Sequence, residues 1–197
     1  MSPIRLHGVP WSRASRCLWM LEEIGARYEN VAVADTRSRE HLARNPNGRV
    51  PVLEDGPLVM WESLAINLHL AKRFPSDLSP KSLSEEAQAL DWSFWAESEL
   101  ERHFNEIASL ETVPGDWLAD VLGKLEAALE KGPHLIAPRF TVADLNVANM
   151  FNGPVSSRLD FGAHPRASAW LQACRSRPAA RRVFQRAAEA WKASRRE

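Results

Sequence analysis

Only two cysteines occur in the 197 residues, Cys17 and Cys174, far apart and in no CxxC pair. That spacing argues against a disulfide scaffold and a cysteine-based zinc site, and it fits a reducing compartment. Net charge is absent too, since 25 basic residues balance 25 acidic ones. No global field therefore draws the chain to nucleic acid or to an anionic membrane. The basic tail from Arg175 to Arg196 reads as a solvated helix face. No apolar run approaches the length of a membrane span. The opening MSPIRLHG has no apolar core of the signal-peptide kind. A soluble, cytoplasmic protein is the expectation. There is no HExxH, GxGxxG or P-loop and no cluster of metal ligands, so neither metal nor nucleotide dependence is expected. What is present is 45% apolar and 25% charged, an ordinary globular balance with enough apolar residues for one or two domains.

The most informative stretch is Asn45 to Phe74, NPNGRVPVLEDGPLVMWESLAINLHLAKRF. It opens with the turn signal Asn45-Pro46-Asn47-Gly48. Two apolar runs follow, Val50 to Leu53 and Leu58 to Trp61, and Asp55-Gly56 between them is a strong hairpin signal. An apolar-periodic helix then starts at Leu64, with Ser63 as the expected cap. Pro51 stands inside a strand pattern, where it cannot donate to a ladder, so an edge position or a cis bond is expected. At the mouth of a sheet, that would leave the main chain of Val50 free to pair with an extended peptide. Glu62 and Ser63 put an acid and a hydroxyl where a helix begins, a place that suits a carboxylate. A ligand of amino-acid type, with both an ammonium and a carboxylate, matches the pair.

Taken in order, Ile4 and Leu6 mark a strand and Gly8-Val9-Pro10-Trp11 a loop. A helix is expected from Ser12 to Ile24, with Cys17, Met20, Leu21 and Ile24 on one stripe and Gly25 closing it. Tyr28 to Val33 reads as a strand, and Ser38 to Ala43 as a short helix at best. The order βαβ, weak helix, ββα suggests a small mixed sheet with helices on its faces. Pro75 to Ser82 is a polar, proline-rich linker. Helical periods follow: one long helix from Ser84 to about Leu110 with Ala87, Leu90 and Phe94 as its stripe, then one opened by Pro114 with Leu118, Val121, Leu122, Leu125 and Leu129. Thr141-Val142-Ala143-Asp144 resembles a capping box. Pro165 and Pro178 open the last two helices.

Gly48-Arg49-Val50-Pro51-Val52-Leu53 followed by Glu62-Ser63 resembles the glutathione-binding half of the cytosolic glutathione S-transferase family. The loop around Ser12 is similar to the family's serine-type, phi-like active-site loop and points to a bacterial member. The resemblance covers nearly the whole chain. It implies a thioredoxin-like α/β domain (βαβαββα) over residues 1–75, a linker over 76–83, and an all-α domain over 84–197 that contributes the electrophile pocket. It also implies a homodimer, reduced glutathione as co-substrate, no cofactor, and Asp144 as a buried structural acid.

In the family, the proline loop pairs with the cysteinyl backbone of glutathione, which assigns Val50 and Pro51. The acid–serine pair holds the γ-glutamyl end, which assigns Glu62 and Ser63. Arg49, and more weakly His41, would face the glycine carboxylate. Thioredoxin-like redox proteins place CxxC where this chain has Ser12-Arg13-Ala14-Ser15, so any reacting sulfur must come from the ligand. Ser12 is the candidate catalytic residue, donating a hydrogen bond to the bound thiolate, with Ser15 as the alternative. Cys17 is assigned to the core because it shares the stripe with Leu21 and Ile24. Trp11, together with Trp92 and Trp95, is a candidate wall for a small apolar electrophile. The resemblance leaves two rivals to conjugation: a glutathione-dependent isomerase or peroxidase, and a non-catalytic binding module of the same fold. The isomerase class carries a Ser-Ser-Cys motif that this chain lacks.

Overall fold

A computed structural model describes residues 4–108, 110, 113–152 and 158–195. Four strands, β1 (Ile4–His7), β2 (Tyr28–Val31), β3 (Val52–Asp55) and β4 (Leu58–Trp61), form one mixed sheet in the order β2-β1-β3-β4. β1 runs parallel to β2, with the crossover made by α1 (Ala14–Glu23). It pairs antiparallel with β3, and β3 with β4 across the Asp55-Gly56 turn. This is the mixed sheet of the thioredoxin-like arrangement expected from the sequence. Leu6 and Leu53 stand opposite each other and are fully buried. α3 (Ser63–Arg73) lies against α1, and the two helices bury Cys17, Met20, Leu21, Ile66 and Leu70.

The neighbouring strand positions carry charge instead. Glu54 of β3 takes Arg44 Nε of α2 (Arg39–Arg44) at 2.6 Å and Arg5 Nη1 of β1 at 3.2 Å. His7 Nε2 lies 3.3 Å from the same carboxylate, close in distance but without hydrogen-bond alignment. Burial raises the Glu54 pKa, but Arg44 and His7 beside it outweigh that and hold it below the usual carboxylate range.

The chain divides into two compact units, Met1–Ser76 with Arg177–Glu197, and Asp77–Ser176. This differs from the helical domain read over 84–197, because α9 (Pro178–Ser194) belongs to the first unit. The reason is a set of specific contacts with α1. Arg177 grips Glu23 with two bonds of 2.8 Å, Trp19 meets Phe184 edge to face at 5.5 Å, and Arg182 and Arg186 both reach Glu22.

The second unit contains α4 (Leu83–Trp95), a π-helical turn (Ala96–Glu101), α5 (Arg102–Ile107), α6 (Gly115–Ala128), α7 (Val142–Met150) and α8 (Pro165–Ser176). Of the expected stripe, Leu118 is half-buried, Val121, Leu122 and Leu125 are buried within α6, and Leu129 is buried just past its end. Asp144 is fully buried at the start of α7. It accepts from Thr141 N–H and Thr141 Oγ1 at 2.9 Å, from Leu135 N–H at 3.1 Å and from Trp170 Nε1 at 2.9 Å. The capping box is complete.

α4 departs from its sequence reading. Ala87, Leu90 and Phe94 face outward, and Phe94 is 72% exposed. The buried face is instead Ala89, Ser93, Ala96 and Leu100. Small residues let α4 approach α7 closely, and Asn146 Nδ2 donates to Ser93 Oγ across that contact at 2.9 Å. The long helix is also not continuous α-helix, since the π turn interrupts it before α5.

Candidate glutathione site

The first unit gathers most of the expected residues at the ends of β1 and β3. Gly8 leaves β1 with φ +147, and a side chain there would meet Ala14 Cβ at 2.7 Å and Val50 Cβ at 3.3 Å. The same position lies 3.7 Å from Ser12 Oγ. A glycine is therefore required where the β1–α1 loop passes Val50, and Ser12 Oγ lies near the same point.

The Val50–Pro51 bond is cis, as expected from a proline inside a strand pattern. Pairing of β3 with β1 begins only at Val52. Among the described residues, the main-chain N–H and C=O of Val50 have no partner. An extended peptide can use them as it would use a sheet edge.

The residues around this bend are tightly held. Gly48, at φ +59, donates its N–H to Asn45 O at 2.9 Å, and Asn47 N–H is held by Asn45 Oδ1 at 3.0 Å. Asn45 Nδ2 donates to Arg49 O at 2.8 Å, and His41 Nε2 lies 2.9 Å from the same carbonyl. His41 is buried, with one ring nitrogen committed to this clamp, so it positions the loop. The Arg49 side chain points into solvent, and among the described residues it pairs with none. Asn45 was missed by sequence reasoning, although the Asn-Pro-Asn-Gly turn is the signal that would have found it.

At the start of α3 the structure corrects one assignment. Ser63 is the first helical residue, and the cap position belongs to Glu62, which has φ +74 and no side-chain cap bond. Left-handed backbone at a glutamate is uncommon and tends to occur where a site requires it. It leaves the Glu62 carboxylate exposed, while Ser63 is buried with its hydroxyl on Arg16 Nη1 at 3.2 Å.

Ser12 lies half-buried just before α1. Its Oγ donates to Val9 O at 2.7 Å and accepts from Ala14 N–H at 3.1 Å. The hydroxyl thus anchors its own loop, and donating to a ligand requires it to turn from Val9 O. Ser15, the alternative, is buried within α1. Burial pushes the Cys17 thiol pKa far up, despite the Arg16 charge, consistent with a core cysteine. Trp11 is exposed, with its ring edge-on to Trp191 at 6.2 Å. Among the described residues, no group of three or more His, Cys, Asp or Glu is arranged to hold a metal.

The family description "Glutathione S-transferase, N-terminal domain" matches residues 2–72, and the corresponding C-terminal domain matches residues 116–178. Glutathione S-transferase 1 of Zea mays is 33% identical over 93% of this chain and 96% of its own length. The chain belongs to the glutathione S-transferase family. Among solved structures, the theta class glutathione S-transferase of Xanthomonas axonopodis pv. citri, with glutathione bound, matches with a TM-score of 0.79 and 28% identity. That match covers 93% of this chain and 98% of the Xanthomonas one. A glutathione S-transferase-I bound with lactoylglutathione matches with a TM-score of 0.79 and 30% identity, over 94% of this chain and all of that one. As an enzyme of this family, the protein uses reduced glutathione as co-substrate and needs no cofactor.

Proposed function

We propose that the protein transfers the thiolate of reduced glutathione to a small apolar electrophile, with Ser12 holding the thiolate ionised. The observation that carries this reading is the crowding at Gly8, where Val50 Cβ at 3.3 Å and Ser12 Oγ at 3.7 Å flank the point a side chain would fill, Val50 being a residue whose main chain has no partner among the described residues. The cysteinyl backbone pairs with Val50 beside Pro51, and the cysteine sulfur lies toward Ser12. The γ-glutamyl end has its ammonium on Glu62 and its carboxylate on Ser63. The glycine carboxylate lies toward Arg49, and His41 and Asn45 hold that loop. Trp11 is the wall nearest the sulfur.

The thiol loses its proton to solvent, and the sulfur lone pair forms the new C–S bond. The electrons displaced at carbon leave with a leaving group or move onto an activating acceptor. A free thiol has a pKa of about 8.5, and two units of lowering need roughly 2.7 kcal/mol of preference for the thiolate. A hydrogen bond to a charged group supplies about 1.5–3 kcal/mol, and the α1 N-terminus adds a few tenths or more.

Two further parts of the reading concern the whole protein. A homodimer is favoured by apolar surface on β4 (Leu58, Val59 and Trp61) and by Leu90 and Phe94 on α4, all exposed in the single chain. A cytoplasmic location is favoured by the two cysteines, both free.

Calorimetry tests the reading. Reduced glutathione and an S-alkyl glutathione should both bind, but only the first should release a proton to buffer near neutral pH. Equal proton release by both ligands would contradict it. A panel of electrophiles, isomerisable thioesters and hydroperoxides then separates conjugation from the rival chemistries.

A further inference from the structure

Arg16 is the only lysine or arginine that is buried among the described residues, at 6% exposure, and the only basic residue of α1. Burying a guanidinium costs several kcal/mol unless its donors and charge are used. One donor is spent on Ser63 Oγ, 3.2 Å away. A guanidinium has donors and no acceptor, so the Ser63 oxygen must accept from it. The hydroxyl hydrogen of Ser63 is then directed away from Arg16, ready for an acceptor on the far side. Two more contacts fix α1 against α3 at this point. The Cys17 thiol donates to Ser63 O at 3.5 Å, and Asn67 Nδ2 donates to Arg16 O at 3.4 Å.

We propose that Arg16 is a positioning residue for the α-carboxylate of the γ-glutamyl end of glutathione. It acts through Ser63, which it converts into an oriented donor, and it places a buried positive charge behind that donor. A chain of bonds in which each donor is polarised by the one behind it is stronger than its separate links. The ligand group that gains is an anion. This inference rests on the reading that Ser63 receives the γ-glutamyl end, and it adds the group that makes Ser63 selective for a carboxylate.

The test is a cycle between protein and ligand. Binding to the full-length chain is measured by calorimetry for reduced glutathione and for γ-aminobutyryl-cysteinyl-glycine, which lacks only that α-carboxylate. Wild type should prefer glutathione by about 10-fold to 100-fold, the range for a hydrogen bond to a charged group. Arg16→Gln should weaken glutathione about 10-fold and the analogue less than about 2-fold, with Arg16→Lys restoring part of the preference. Ser63→Ala, which leaves Arg16 in place, should also erase most of the preference and tests the Ser63 reading itself; if Arg16→Gln does not fold, Arg16→Lys decides for Arg16, since it should narrow the preference for glutathione while weakening the analogue less than about 2-fold. Equal weakening of both ligands by Arg16→Gln would make Arg16 merely structural and overturn the inference alone. Ser63→Ala retaining the full preference would overturn the Ser63 reading and the inference together. A wild type that binds both ligands equally, or neither, would overturn the Ser63 reading and the inference together.

Discussion

Single residues at the site are defined by what they touch. Gly8 has no room for a methyl group, since Ala14 Cβ stands 2.7 Å from where it would lie. Gly8→Ala should therefore push the Ser12 loop off Val50 and lower kcat/KM by about 100-fold, the scale of a 1 Å misplacement of reacting groups. Circular dichroism should stay native, so the loss would be one of alignment. Asp144 is the opposite kind of residue, fully buried with four donors on its two oxygens. Asp144→Ala strands those donors and should cost about 3–5 kcal/mol in urea unfolding, with Asp144→Asn milder. The cis bond at Pro51 and the buried capping acid Asp144 were legible because a proline in a strand and T-x-x-D are local signals. Asn45 and Arg16 were not, because their partners Arg49 O and Ser63 Oγ are set by turns and helix packing that no periodicity records.

Elements show where periodicity informs and where it misleads. β1 and α6 followed their patterns because each has an apolar face to bury, with Ile4 and Leu6 on the one and Val121, Leu122 and Leu125 on the other. α4 did not, since its large apolar residues Leu90 and Phe94 lie outside and its small ones inside. A pattern counts apolar side chains and cannot tell which neighbour covers them. Helix α9 was legible as a helix but not as part of the first unit, because its attachment depends on Arg177, Arg182 and Arg186 meeting Glu22 and Glu23 of a helix far earlier in the chain. Glu23 is nearly buried, so Arg177→Ala leaves an acid with no charged partner from α9 and only the Trp19 Nε1 bond of 2.9 Å in its place. It should lower stability by about 3 kcal/mol and expose α9 to limited proteolysis before the rest of the first unit.

At the scale of the molecule, pH and assembly are the informative variables. Glu54 and Glu22 are desolvated, which raises their pKa, yet the basic groups and hydroxyl around them hold both below the ordinary carboxylate value. A depressed folded pKa contributes stability that is present above the unfolded value of about 4.3 and is lost as pH falls through the folded one. Thermal unfolding followed downward from neutral pH should show Tm falling once pH passes below about 5, and Glu54→Gln should make that fall shallower. An unaltered acid limb in the variant would remove Glu54 from it. If the proposed homodimer uses the exposed face of α4, Phe94→Asp should shift sedimentation from dimer to monomer while α4 stays folded, because Phe94 is outside the chain's own core.

A sulfur borrowed from glutathione and kept ionised beside Ser12 should be visible in the pH titration of thiolate absorbance in the binary complex. The wild-type midpoint should lie below about 7.5, and Ser12→Ala should return it toward the free-thiol value of about 8.5. A wild-type midpoint already at the free value, or one that Ser12→Ala leaves in place, would rule out thiolate stabilisation by Ser12.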